Sequence, residues 1–284
     1  MKWTEPAYGK LNLTLDILGK LENGYHSLSM VMQSVSLADR VTLCCEGEKG
    51  IHVFCGEGAP EGEENIVWKA AKAFFEYCGI TEYSVQFWVE KKIPSQAGMG
   101  GGSSDAAAAL RLLNRAYGKG LTADELRSLG SRIGADVPFC ITGGTMQAEG
   151  IGEILTPVAE LPNCWILLCK PPIGVSTPQA FKESDNAPAV PPKTPDMVQA
   201  LETGSLEKIA AALGNRFQEI LQIPQIRGII RNMEENGALG ACMTGSGSVV
   251  FGIFCEKEKA EQAANRLKGL GNCYVVQPIS EYSL

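Results

Sequence analysis

Between an alternating segment at Val85, Phe87 and Val89 and a run of helix formers at Ala106–Ala109 and Leu110–Leu113 stands Pro94-Ser95-Gln96-Ala97-Gly98-Met99-Gly100-Gly101-Gly102-Ser103-Ser104. That order confines the chain to folds in which a strand delivers a glycine-rich turn straight into a helix. Glycines lack a Cβ, so successive backbone N–H groups can turn inward and approach an anion closely. The helix behind the turn adds unpaired N–H donors and the positive end of its dipole. Ser103 and Ser104 bring hydroxyl donors to that helix start, and the alanines let the helix lie close to its support. A flexible linker shares this composition, yet a linker is seldom wedged between a strand and a strong helix former. The segment reads as a phosphate-binding loop.

Three familiar phosphate or nucleophile motifs are absent. No Gly-Lys pair is followed by Ser or Thr, which excludes a P-loop. Gly98-Met99-Gly100 ends in Ser103 with no β-α-β unit behind it, so the dinucleotide fingerprint fails. No G-x-S-x-G elbow surrounds any serine, which disfavours a serine hydrolase.

Along the rest of the chain, Leu11, Leu13, Leu15 and Ile17 alternate with Asn12, Thr14 and Asp16. This spacing predicts a half-buried strand with Lys10 and Asn12 on its polar face. Further strands are expected at Val31–Val35, Val41–Cys44 and Ile51–Phe54, then a helix over Asn65–Cys78 stopped by Gly79. Thr122 with Glu125 forms a capping box for a helix ending at Gly134, and Asp136-Val137-Pro138 reads as a turn. Beyond Thr156–Pro162 the character changes. Trp165–Cys169 reads as a buried strand, and Asp185–Pro195, holding four prolines, as a loop or extended segment. Helices are expected at Ser205–Leu213, Pro224–Asn236 and Glu256–Leu267. A strand–turn–strand runs through Met243-Thr244-Gly245-Ser246-Gly247 to Phe251, and a last strand covers Tyr274–Val276. The class is α+β in two parts, 1–155 and 156–284.

The 284 residues suffice for two domains. A net charge of -7 argues against nucleic acid as a partner. No apolar run is long enough to span a membrane, and the first residues lack a signal-peptide core, so a cytoplasmic protein is expected. Ten cysteines without a C-x-x-C spacing read as buried, reduced thiols, and two histidines make a histidine-rich metal site improbable. The sequence names no metal ligands.

Pro94 through Ala106 resembles the central motif of the GHMP kinase superfamily: proline, three residues, glycine, a hydrophobic residue, glycine, then Ser-Ser. Met99 stands where leucine is usual, and extra glycines precede Ser103. Pro6-Ala7-Tyr8-Gly9-Lys10-Leu11-Asn12-Leu13 is similar to the N-terminal strand motif, and Met243–Ser248 to the C-terminal glycine-rich turn. The resemblance implies an N-terminal α/β sandwich carrying the phosphate loop and a C-terminal ferredoxin-like α+β domain. It also implies ATP and Mg²⁺ as cofactors.

Gly24-Tyr25-His26 and Gly134-Ala135-Asp136-Val137-Pro138 further resemble the diphosphocytidyl-methylerythritol kinase family of the non-mevalonate isoprenoid pathway, whose members phosphorylate a tertiary 2-hydroxyl. By that resemblance Asp136 is the base and Lys10 its cationic partner. Taken alone, Asp136 is a turn residue and Lys10 a strand lysine, and spacing does not pair them. Tyr25 and His26 look like residues that grip a cytosine ring, Phe181 like the second stacking residue with Thr177 nearby, and Asn12 like a contact of the sugar-like acceptor. Asn65, Ile66 and Lys91 match positions near the adenine, although Asn65 equally suits a helix N-cap and Lys91 a solvated strand end. Asp105 sets a negative charge where phosphate is expected, turning either to its own backbone or to magnesium. The expected partner is a small molecule bearing cytidine diphosphate, and the expected assembly a monomer or weak homodimer. Alternatives are a homoserine or mevalonate kinase, against which Gly24-Tyr25-His26 and Phe181 speak, or a silent nucleotide sensor, against which the pair Lys10 and Asp136 speaks.

Overall fold

The computed structural model describes residues 1–56, 60, 62–280 and 282. Two long strands open the chain: β1 (Lys2–Lys20) and β2 (His26–Cys44) pair antiparallel along nearly their whole length. Val31–Val35 and Val41–Cys44, expected as separate strands, are stretches of this one β2. The β1–β2 register slips between Tyr8 and Lys10, between Asn12 and Thr14, and between Ile17 and Gly19. Such a slip re-aims the side chains that follow it. Leu11 and Leu13 therefore enter one core and Leu15 the other. The alternation at Leu11–Ile17 does not mark a half-buried strand, because both faces are covered. Lys10 and Asn12 are only 4% and 1% exposed. Their polar face is covered by the protein rather than turned to water.

β3 (Gly50–Cys55) and β4 (Ser84–Glu90) run parallel, joined through α1 (Ile66–Tyr77). Asn65 caps α1, its Oδ1 accepting the Val67 N–H at 2.8 Å. β4 pairs β2 and leads into the glycine loop and α2 (Gly101–Ala116). The helix thus starts five residues before the run of helix formers and takes the last glycines and both serines into its first turns. α3 (Ala123–Ser131) opens on the expected Thr122–Glu125 capping box. The expected turn at Asp136–Pro138 is instead the start of a short helix, α4 (Val137–Thr142), with Asp136 at its N-cap. Proline is tolerated in a first turn because its missing N–H has no helical partner there. A hairpin not foreseen, β5 (Thr145–Gly150) and β6 (Ile154–Pro157), pairs with β2 through β5.

The second part begins with β7 (Trp165–Lys170) and α5 (Thr177–Ser184). The proline-rich stretch is a loop as expected until α6 (Thr194–Glu202) starts, with Asp16 accepting the backbone N–H groups of Lys193 and Thr194. Then follow α7 (Leu206–Ala211), β8 (Gly214–Asn215), α8 (Arg216–Leu221) and α9 (Pro224–Glu235). β9 (Gly240–Met243), β10 (Val250–Phe254), α10 (Lys257–Leu267), β11 (Asn272–Val276) and β12 (Pro278–Ile279) complete the order. β11, β7, β10 and β9 form an antiparallel four-stranded sheet with α9 and α10 packed on it. β8 and β12 return to the first sheet, beside β1 and β2. No helix among the described residues is long and apolar enough to cross a membrane. The cysteines form no disulfides; five are buried and Cys255 is exposed.

One core lies between the two sheets. Leu11, Leu13 and Val35 meet Ile166, Leu168, Phe251 and Ile253 there, and Ile93, Ala97 and Met99 join them from the glycine loop and its approach. Met99, 1% exposed, anchors the loop's middle. Met99→Ala should lower the unfolding free energy by about 2–5 kcal/mol, whereas Met99→Leu, nearly conserving volume, should cost less than about 1.5 kcal/mol. Urea denaturation of the two variants checks this.

Candidate active site

The glycine loop is held from two sides by main-chain contacts. From β1, the Lys10 N–H donates to the Met99 carbonyl at 3.0 Å, and the Tyr8 carbonyl accepts the Ser104 hydroxyl at 2.6 Å. From the second sheet, the Val249 N–H donates to the Ala97 carbonyl at 3.3 Å. Gly98 has φ of +73°, and a Cβ there would collide with the Thr244 carbonyl oxygen. A Cβ on Gly245 would in turn stand 2.8 Å from the Gly98 carbonyl oxygen. Two glycine turns from opposite ends of the chain therefore fit only as glycines. Gly100, at φ +66°, is the N-cap of α2.

A cavity of about 520 Å³ opens over this loop, within the range of small-molecule sites. Pro94 through Ser103 line it, together with Asn65, Ile66 and Lys91. Ser104 lies behind, its hydroxyl spent on Tyr8. Asn65 caps α1 as one reading had it, and it also borders the cavity.

Lys10 Nζ lies 3.4 Å from Asp136 Oδ2 and donates to Asn12 Oδ1 at 2.8 Å. A Cβ on Gly100 would sit 3.2 Å from Lys10 Cε and 3.6 Å from Asp136 Oδ2, so the pair abuts the loop directly. The Asp136 side chain is 30% exposed while that of Lys10 is 5% exposed. Asp136 makes no capping bond to α4 and keeps oxygen lone pairs for a ligand. A carboxylate beside a buried ammonium and an anion cradle can accept a proton next to a phosphoryl group. Asn12 Oδ1 also accepts the Gly245 N–H at 3.1 Å, and Thr244 Oγ1 accepts the Asn12 N–H at 3.0 Å. Asn12 thereby ties the lysine to the second glycine turn.

Lys91 does not end a solvated strand. It pairs with both Asp39 and Asp105. Asp39 is fully used, with Oδ1 accepting the N–H groups of Lys92 and Ile93. Asp105 has only the lysine, and its Oδ1 is buried without a partner. Burial pushes the Asp105 carboxyl up to about 7, Lys91 offsetting only part of this because Asp39 shares the same cation. Burial alone would lower Lys91, but Asp105 and Asp39 together hold its ammonium above the ordinary lysine value. The acid at the start of α2 thus turns to Lys91 rather than to its own backbone, at the wall of the first cavity.

A second cavity, of about 560 Å³, lies beside the β1–β2 turn and contains Tyr25, His26 and Phe181. Asn23 Oδ1 accepts the Tyr25 N–H at 3.0 Å, a capped turn that leaves Tyr25 60% exposed. His26 stacks on Phe181 with centroids 4.7 Å apart. Thr177 is not at this cavity's wall; its hydroxyl lies 2.6 Å from that of Ser246. Ala135 lines the cavity, so its neighbour Asp136 stands between the two cavities.

Two supporting residues escaped the sequence. Asp39 sits mid-strand in a polar-looking stretch with no motif to mark it. Asn215, 2% exposed, donates through Nδ2 to the carbonyls of Met243 and Gly245, both at 2.8 Å, and caps α8. It stiffens the second glycine turn, and no local pattern marks it. Among the described residues no cluster of three or more His, Cys, Asp or Glu side chains could hold a metal by itself.

A family model described as "GHMP kinases N terminal domain" matches residues 65–144, and one described as "GHMP kinases C terminal" matches 197–273. The 4-diphosphocytidyl-2-C-methyl-D-erythritol kinase of Shouchella clausii is 40% identical over 272 residues, 95% of this chain and 91% of that protein. The kinase of the same name from Caldicellulosiruptor saccharolyticus is 42% identical over 266 residues, 92% and 91% of the two chains. A crystal structure of 4-(cytidine 5'-diphospho)-2C-methyl-D-erythritol kinase superposes with a TM-score of 0.81 at 31% identity, covering 97% of this chain and 99% of that one. Homoserine kinase from Cytophaga hutchinsonii shares the fold, with a TM-score of 0.78 at 16% identity over 99% and 95% of the chains.

Asp105 makes stability depend on pH. Unfolded, its carboxyl releases a proton near 3.8, and folded near 7. Between these values the folded chain holds a proton that the unfolded chain has lost, so this contribution falls as pH rises and levels off above about 7. Asp105→Asn removes that slope. The melting temperature of the wild type minus that of Asp105→Asn should therefore drop from about pH 4 to pH 7 and stay level beyond it. A difference that rises across this window contradicts the assignment.

Proposed function

The chain belongs to the GHMP kinase family, and we propose that it transfers the γ-phosphoryl group of ATP to the 2-hydroxyl of 4-diphosphocytidyl-2-C-methyl-D-erythritol, a step of the non-mevalonate (methylerythritol phosphate) isoprenoid pathway. The observation that carries this reading is the Lys10–Asp136 pair standing between two cavities, one walled by the glycine loop and the other by aromatic rings.

ATP lies in the first cavity, its phosphates against the backbone N–H groups of the loop and the start of α2. The acceptor lies in the second, its cytosine held by Tyr25, His26 and Phe181, its polar chain reaching past Ala135 toward Asp136. Asp136 takes the proton of the 2-hydroxyl as that oxygen bonds the γ-phosphorus and the bond to the bridging oxygen of ADP breaks. Lys10 holds the carboxylate and offsets the negative charge around the phosphoryl group. Its bond to Asn12 fixes the ammonium between them. Mg²⁺ fits as a companion of the nucleotide rather than as a resident ion. Ser95, Ser103, Glu64 and Asp105 bring oxygen atoms to the first cavity, but no three acidic, His or Cys side chains cluster there among the described residues, so a bound Mg²⁺ would draw the rest of its ligands from phosphate and water. Bound there, it neutralises phosphate charge that a loop without lysine leaves uncovered.

The division at residue 155 separates the part carrying the phosphate loop from the part carrying the Gly245 turn and Phe181. ATP and a phosphorylated sugar-like acceptor suit a cytoplasmic enzyme, and we take it to act as a monomer or weak homodimer.

A coupled ADP-release assay tests the reading. Turnover is expected with the cytidine substrate and not with homoserine or mevalonate; comparable turnover of either of these defeats the assignment. Asp136→Ala should lower kcat by about 10²–10⁴-fold, and Lys10→Met by about 10²–10³-fold. In both variants nucleotide affinity, read by fluorescence titration, should stay near that of the wild type.

A further inference from the structure

Asp185 caps the C-terminal end of α5, one turn beyond Phe181, and nothing in the sequence marks it apart from the loop it begins. Its Oδ1 lies 2.7 Å from His26 Nε2, and its Oδ2 lies 2.6 Å from Lys20 Nζ. The His26 ring is 8% exposed and stacked on Phe181 at an interplanar angle of 20°. Phe181 meets Phe217 edge to face, with centroids 4.9 Å apart. The imidazole is thus fixed by an aromatic neighbour on its face and a carboxylate on its edge. Lys20 and then His26 hold the Asp185 carboxyl below the usual carboxylate range. At neutral pH both of its oxygens therefore only accept, and the proton between the two groups sits on Nε2. A neutral imidazole carries one N–H, which leaves Nδ1 an acceptor. Among the described residues the His26 side chain hydrogen-bonds only through Nε2.

We propose that Asp185 is the positioning residue that sets the tautomer of His26, so that the second cavity meets the base of its ligand with a hydrogen-bond acceptor. The proposal rests on reading that cavity as a cytidine site. Cytosine carries an exocyclic amine where uracil carries a carbonyl. An acceptor opposite that position takes the amine and repels the carbonyl. Sites that pair a polar group discriminate against the analogue lacking it far more strongly than apolar pockets discriminate by size. Lys20 sharpens the choice by claiming the other carboxylate oxygen, which aims Oδ1 at the ring.

The variant Asp185→Asn reverses this logic. Lys20 can only donate, so the carboxamide oxygen turns to it and the amide NH₂ faces His26. Nε2 must then accept, and Nδ1 carries the proton. The chain has two histidines, so ¹⁵N imidazole spectra at about pH 8.5, where free imidazole is neutral, resolve His26 with His52→Gln as the assignment control. The wild type should show the Nε2–H form and Asp185→Asn the Nδ1–H form. In steady-state kinetics the variant should raise KM for the cytidine acceptor by at least about tenfold and lower the preference over the uridine analogue by a similar factor. Its kcat and its KM for ATP should stay within about twofold of the wild type. An Nδ1–H form in the wild type, or an unchanged cytidine preference in Asp185→Asn, overturns the proposal. Failure of the wild type to phosphorylate any cytidine acceptor would overturn the functional reading instead. The spectra would then still decide whether Asp185 sets the tautomer.

Discussion

The close approach of two glycine turns governs the molecule. Gly98 and Gly245 touch through bare backbone, each standing where the other leaves no room for a side chain. Glycine chains lose much conformational freedom on ordering, so the phosphate loop must be pinned from outside. The Met99 and Ala97 carbonyls accept bonds from opposite sheets, and the Met99 side chain fills the core between those sheets. The geometry of an anion cradle therefore depends on how the two halves of the chain pack, not on the loop alone.

Charge is distributed by the same economy. The protein is net acidic, and three of the cations near the two cavities are engaged by carboxylates: Lys10 by Asp136, Lys91 by Asp39 and Asp105, Lys20 by Asp185. The Asp39–Lys91–Asp105 group is the unbalanced one. A single ammonium cannot neutralise two buried carboxylates, and the unpartnered oxygen of Asp105 is the residue of that deficit. Where a buried acid has spare hydrogen-bonding capacity beside a cavity, its protonation becomes part of the local structure.

Much of this architecture was legible in the residues. The strand–loop–helix around Gly98, the capping box at Thr122 and the buried strand at Trp165 follow from local pattern alone, because turn chemistry and periodicity are properties of neighbouring residues. The pairing of Lys10 with Asp136 came only through family resemblance, since no spacing rule joins residues from two distant segments. Local pattern misled in β1, where the register slip between Asn12 and Thr14 lets one apolar alternation serve two cores. It was silent at Asp39, Asn215 and Asp185, whose partners come from other elements. The hairpin at Thr145–Pro157 hid because its strands are short and carry polar residues.

The bonds between Asn12 and the Thr244 turn also govern when such a site can exist during synthesis. These residues stand 232 positions apart. At roughly 5–20 residues per second, the partner of Asn12 leaves the ribosome on the order of 10–45 s after it. Until then Lys10 and Asn12 lack the Thr244–Gly245 turn that covers them, and the short strand β12, later still in the chain, has not joined the sheet. Nascent chains thus carry an unassembled cradle, and nucleotide cannot act as a folding template before the Thr244 turn has been made.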